Sequence, residues 1–84
     1  HMSNKHTVQA DVVHKIENHM AAKGIKRKDL IDKLGWSYER FRKRMEGKIA
    51  FDLDELWVIA GILRTSPLEL MPEDATEIKM ADAV

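Results

Sequence analysis

Eighty-four residues with fourteen cations balanced by fourteen anions, 44 % of them hydrophobic, describe one small domain, and a chain of this size buries only about 60 to 65 % of its unfolded surface, so its core must be economical. With no cysteine there is neither a disulfide framework nor a thiolate metal site, and no apolar run approaches the ~20 residues of a membrane span. These features predict a soluble cytoplasmic protein without a membrane partner.

The leading His1-Met2 reads as a cloning scar with Met2 as the start. Ser3-Asn4-Lys5-His6 lacks the apolar stretch of a signal peptide, so residues 1–6 read as scar and flexible N-terminus. A first helix is predicted from about Thr7 to Lys23, with Val13, Ile16 and Met20 at helical spacing and Gly24 placed to stop it. A second runs from about Arg27 to Leu34, sets Leu30 and Leu34 on one face and ends at Gly35. Ser37 is a good N-cap for a third, with Glu39 suiting the first turn and Gly47 ending the run. In that helix Phe41 and Met45 face inward, while Glu39, Arg40, Arg42, Lys43 and Glu46 face outward. Asp52-Leu53-Asp54-Glu55 opens a fourth as a variant capping box, with Leu53, Leu56, Trp57, Ala60 and Leu63 as its apolar stripe. Ser66, Pro67 and Glu69 open a short fifth helix that Pro72 closes, and its Leu68 and Met71 are expected to seal the core. Residues 7–72 form one all-α domain on this reading. The tail, residues 73–84, shows weak alternation at Ile78, Met80 and Val84. It is either disordered or pairs with its copy in a dimer, because a lone strand does not stand by itself.

The zero net charge hides an asymmetry. Residues 23–48 hold ten cations against four anions, and residues 49–84 hold two against eight. Positive potential is thereby concentrated on the middle third, as a phosphate-binding face requires, although a solvated basic surface has the same composition. Five of these cations lie between Ser37 and Lys48. Lys26, Arg27 and Lys28 crowd the N-terminus of the second helix, where the dipole disfavours cations by about 0.3 to 1 kcal/mol each and Ser, Thr or Asp would cap better. A phosphate there would meet free backbone N–H groups and cations together. Water and Asp29 are the alternative partners.

The run Gly24-Ile-Lys-Arg-Lys-Asp-Leu-Ile-Asp-Lys-Leu-Gly-Trp-Ser-Tyr-Glu-Arg-Phe41, with Gly47-Lys48, Asp52-Leu-Asp-Glu-Leu56 and Ser66-Pro-Leu-Glu-Leu70, resembles the Xre family of phage-repressor and Cro-type helix-turn-helix proteins over residues 8–72. Arg44-Met-Glu-Gly-Lys48 followed by Phe51-Asp-Leu-Asp-Glu-Leu56 is similar to versions common in actinobacteria and their phages. The resemblance implies a compact five-helix, lambda-repressor-like DNA-binding domain with a C-terminal tail, its third helix lying in the major groove of a double-stranded operator. It implies base contacts from Tyr38, Glu39 and Lys43, with Arg40 and Arg42 nearby, and backbone contacts from Arg27 and Lys48, to which the phosphate reading of this region adds Lys26, Lys28 and Ser37. It further implies a transcription regulator, a phage or prophage repressor or Cro-like protein occluding a promoter as a homodimer through helix five or the tail.

Tyr38 lies three residues before Phe41, so packing and base contact are both open to it. Arg44 is read as support, its stem over the core and its head on an acidic neighbour. Trp36 is read as turn packing. Lys26 in place of a small polar cap, Trp36 in the turn and Met45 depart from the family pattern.

His6, His14 and His19 do not form a metal-ligand set: His14 and His19 are five apart, and no cysteine or nearby His-carboxylate group completes a site. There is no glycine-rich phosphate loop, nucleophile elbow or convergent acid/base pair, so neither an enzyme nor a small-molecule ligand or cofactor is expected. The competing expectation is a protein-interaction module of the same fold, antirepressor-like or antitoxin-like, that binds another regulator.

Overall fold

Four α-helices, α1 (Val8–Lys23), α2 (Arg27–Leu34), α3 (Tyr38–Met45) and α4 (Leu53–Leu63), followed by a single 3-10 turn at Pro67–Leu70, make up the computed structural model, which describes residues 8–72. No strand occurs among the described residues, and none of their helices is long and apolar enough to cross a membrane. The readings made for residues 1–7 and for the tail 73–84, a tail-mediated dimer included, lie outside the described residues.

Local chemistry sets the boundaries. Gly35 ends α2 in the left-handed conformation (φ 73°), which lets its N–H reach the carbonyls of Ile31 and Asp32. Two residues later the chain turns into α3, where the Ser37 hydroxyl oxygen accepts from the Arg40 N–H at 3.1 Å. At the start of α4 the Asp52 carboxylate accepts from the Glu55 N–H at 2.7 Å, and the Glu55 carboxylate accepts from the Asp52 N–H at 3.0 Å. This is the reciprocal capping box that the spacing predicts. The far end of α4 is closed by Lys23 of α1, whose ammonium donates to the Leu63 and Arg64 carbonyls at 2.6 and 3.1 Å, satisfying acceptors that the helix leaves unpaired.

The core joins Val12, Ile16 and Met20 of α1, Leu30 of α2, Phe41 and Met45 of α3, and Leu56, Ile59, Ala60 and Leu63 of α4, with Phe51 from the α3–α4 loop and Leu70 from the 3-10 turn. Each large member contributes about 1.5 to 3 kcal/mol by leaving water. Gln9 fastens the α3–α4 loop to α1, its side-chain oxygen accepting from the Phe51 N–H at 2.9 Å.

Three core expectations are corrected. Val12, not Val13, is buried with Ile16 and Met20, since a spacing of four aligns residues 12, 16 and 20, and Val13 packs at the margin. On α4 the inward arc is Glu55, Leu56, Ile59, Ala60 and Leu63, whereas Leu53 and Trp57 stand outward, more than half exposed. The fifth helix is one 3-10 turn, whose three-residue repeat puts Pro67 and Leu70 on the same side and Leu68 opposite. Leu70 is therefore fully buried and Leu68 is 75 % exposed, with Met71 partly covered.

Candidate nucleic-acid interface

α2, the turn at residues 35–37 and α3 carry the candidate residues. The same inward residues that anchor α3, Phe41 and Met45, decide its outward ones: Tyr38 is 62 % exposed, Glu39 is exposed, and Lys43 is half-buried along its stem. Tyr38 is thus outside the core, at the edge of a shallow cleft shared with Arg27, Lys28, Ile31 and Asp32. At the N-terminus of α2, Lys26 occupies the cap position in an extended conformation without a side-chain cap hydrogen bond, so the first N–H groups of that helix have no side-chain acceptor from the cap.

Of the ten cations between residues 23 and 48, seven have partners in the fold. Lys23 closes α4, and Arg27 pairs with Glu17 of α1 at 3.1 Å. Arg42 is held from both sides, by Glu39 at 2.6 Å and by Glu46 at 2.9 Å. Lys43 lies 4.0 Å from Glu39, and Lys48 lies 3.4 Å from Glu46. Among the described residues, Lys26, Lys28 and Lys33 make no ion pair. Hydrogen bonds from Arg42 hold the Glu39 and Glu46 carboxyls below the usual carboxylate range, and the same bonds push the Arg42 guanidinium further up.

The remaining two cations converge on α4. Glu55, only 6 % exposed, receives Arg44 through its Nε and Arg40 through a terminal nitrogen, all at 3.0 Å. Burial alone would raise the Glu55 carboxyl, but the Asp52 N–H and the Arg44 and Arg40 guanidiniums outweigh it and hold it below the ordinary range. Arg40 also lies over the Trp36 ring at 4.1 Å, with Arg44 at 5.5 Å, contacts of the cation–π type. Trp36 in turn packs on Phe41 and Phe51, at ring separations of 6.4 and 6.5 Å. Trp36 is therefore turn packing, and Arg44 does cover the core with its head on an acidic neighbour.

The structure brings Tyr38, Glu39, Arg42, Lys43 and Lys48 onto the outward side of α3 and its following loop. It directs the Arg40 guanidinium away from them, towards α4, and Ser37 serves as the cap of α3. Two residues that shape this surface escape a reading by segment. Glu17 engages Arg27, and Glu55 orients Arg40 and Arg44. The capping-box spacing marks Glu55 as a helix-start residue, but only the packing of α3 on α4 makes it a hub. His14 is exposed and His19 lies 3.9 Å from Glu69, while His6 falls outside the described residues.

No protein-family model, no curated protein and no solved structure matches the chain.

Proposed function

We propose that this chain is a sequence-specific double-stranded DNA-binding transcription regulator, a cytoplasmic phage or prophage repressor or Cro-like protein of the lambda-repressor-like type that acts by promoter occlusion. In this reading α2, residues 35–37 and α3 form the helix-turn-helix, and the 3-10 turn at 67–70 stands for the fifth helix. The observation that carries it is the placement, across one tight turn, of an outward polar helix face with exposed Tyr38 and partly exposed Arg42 and Lys43 beside a helix N-terminus flanked by Lys26 and Lys28, which make no ion pair among the described residues. Lysines around free N–H groups suit phosphates, which fix register, while the face of α3 suits base edges. Arg27 and Lys48 extend the phosphate contacts once they exchange Glu17 and Glu46 for DNA. Arg40, held by Glu55, braces α3 from behind.

One domain reads only a few base pairs. Two copies on a two-fold operator, with half-sites about 34 Å apart, supply the rest of the affinity. Leu68, exposed on the 3-10 turn, is an apolar side chain that such a pairing would cover.

A second reading, a protein-interaction module of the antirepressor or antitoxin kind, draws on the pairing of seven of the ten central cations and on the exposed Leu53, Trp57 and Val58. Selection of bound sequences from a random duplex pool separates the two. A consensus with two-fold symmetry supports the regulator, and no enrichment at low salt rejects it in favour of the interaction module.

A further inference from the structure

Arg42 is the most heavily partnered cation on the outward side of α3, and both edges of its guanidinium are filled, one from within the helix and one from the residue that caps its C-terminus. Glu39 sits three residues before it and Glu46 four after, at 2.6 and 2.9 Å. The same two carboxylates lie beside the other cations of that surface, Glu39 near Lys43 at 4.0 Å and Glu46 near Lys48 at 3.4 Å. Lys26 and Lys28, by contrast, make no ion pair among the described residues. The outward cations of α3 and its following loop are thus held by carboxylates, whereas at the start of α2 Arg27 is held by Glu17 and Lys26 and Lys28 are open among the described residues.

We propose that Glu39 and Glu46 are specificity-determining residues of this surface, holding Arg42 back from backbone phosphate and releasing it to a G·C base pair. The proposal rests on the DNA-binding reading. A phosphate can take the same guanidinium fork, but it brings a negative charge beside Glu39 and Glu46 and offers no donor to a carboxylate it displaces, so like-charge repulsion opposes the contact. A guanine edge differs. Its O6 and N7 match the guanidinium fork, and the N4 amino group of the paired cytosine is a donor that Glu39, once released, accepts from. One base pair therefore satisfies both Arg42 and Glu39, while Glu46 keeps Lys48 at 3.4 Å, whereas a phosphate satisfies Arg42 alone. Non-specific binding falls to the open lysines at the start of α2, whose contacts carry no sequence information.

The test uses the full chain, the consensus duplex that selection with wild type yields, and a random-sequence duplex, each titrated with salt. Glu39→Gln and Glu46→Gln keep side-chain size and lie outside the core, and circular dichroism checks that each folds. The expected result is a several-fold rise in affinity for the random duplex and a salt slope steeper by about 0.9 for each cation released. Affinity for the consensus should change less, so that the ratio between the two falls, and repeating the selection with Glu39→Gln should lose a G·C preference at one position of each half-site. An equal rise on both duplexes, an unchanged slope, or a wild-type consensus without such a G·C position overturns the proposal and leaves the DNA-binding reading intact. Wild type that binds no duplex at low salt overturns both.

Discussion

Arg44 and Glu55 meet where α3 packs on α4, the Arg44 Nε donating to both carboxylate oxygens at 3.0 Å with only 16 % of the arginine side chain and 7 % of the glutamate exposed. The same carboxylate closes the capping box of α4 and receives Arg40. One acidic side chain therefore fixes the start of α4 and the inner edge of α3 together, so the orientation of the candidate reading helix depends on a residue outside it.

Glu55→Gln keeps the size of the side chain and an acceptor for the Asp52 N–H but leaves the largely buried Arg44 without a counter-charge. A loss of about 2 to 3 kcal/mol at pH 7 is expected, the range for a hydrogen bond to a charged group in a partly dry site. The sign with pH follows from the lowered carboxyl. The stabilisation by Glu55 is complete above the ordinary glutamate value of about 4.3 and is lost as pH falls through the folded-state value below it. Urea unfolding of both proteins should give a constant gap near neutrality that narrows below about pH 4.3. A gap that widens on acidification contradicts the assignment.

Arg64 adopts φ 59° and ψ 47° at the end of α4, a left-handed conformation that costs a non-glycine residue about 1 kcal/mol. Its side chain makes no hydrogen bond or ion pair among the described residues, and the Lys23 ammonium reaches only its carbonyl. Nothing in the structure explains an arginine there. Arg64→Gly should therefore raise stability by about 0.5 to 1 kcal/mol, after the greater freedom of glycine in the unfolded chain is deducted. Thermal unfolding with no gain or a loss would show that the arginine side chain contributes more than its contacts display.

The sequence makes α2, the Ser37 cap and the 52–55 capping box legible, because each is marked by residues within one turn of the boundary they set. Phe41 and Met45 are legible for a related reason, since four-residue spacing fixes one face of a short helix. Charge is legible as a sum but not as a surface. Glu17 and Glu55, ten and eleven residues from Arg27 and Arg44, are brought in by packing, and a count along the chain cannot see them. Trp57 and Leu53 fail differently. Every α4 position from Leu56 to Leu63 except Gly61 is a large apolar residue or alanine, so periodicity leaves the inward arc undecided, and the neighbours of α4 decide it.

In the proposed DNA-binding reading, Lys43 and Lys48 separate base reading from backbone contact. Lys43→Ala, on the outward face of α3, is expected to relax sequence preference at one operator position by about 1 to 3 kcal/mol. Lys48→Ala, in the loop beyond α3 and 63 % exposed along its side chain, should weaken binding to all duplexes alike and lower the salt slope by about 1. Salt-titrated binding to several duplexes reads both. Identical affinities and slopes for wild type and both variants would reject a role for this face in DNA binding.

Trp57 and Leu53 test what covers α4. A helix that is apolar all round is ordinarily buried, yet both side chains are more than half exposed, while Ile59 two residues beyond Trp57 is fully buried. If the described residues complete the surroundings of α4, Trp57→Gln and Leu53→Gln should change stability by no more than about 0.5 kcal/mol, as surface substitutions do. Ile59→Ala, which empties a fully packed site, should cost about 2 to 5 kcal/mol. Thermal unfolding at two protein concentrations adds the deciding comparison. A large loss for Trp57→Gln with a midpoint that rises with concentration in wild type means that a second copy covers this face, because association stabilises only the folded state and does so by mass action. The same loss at a concentration-independent midpoint means that the chain covers its own α4 from outside residues 8–72.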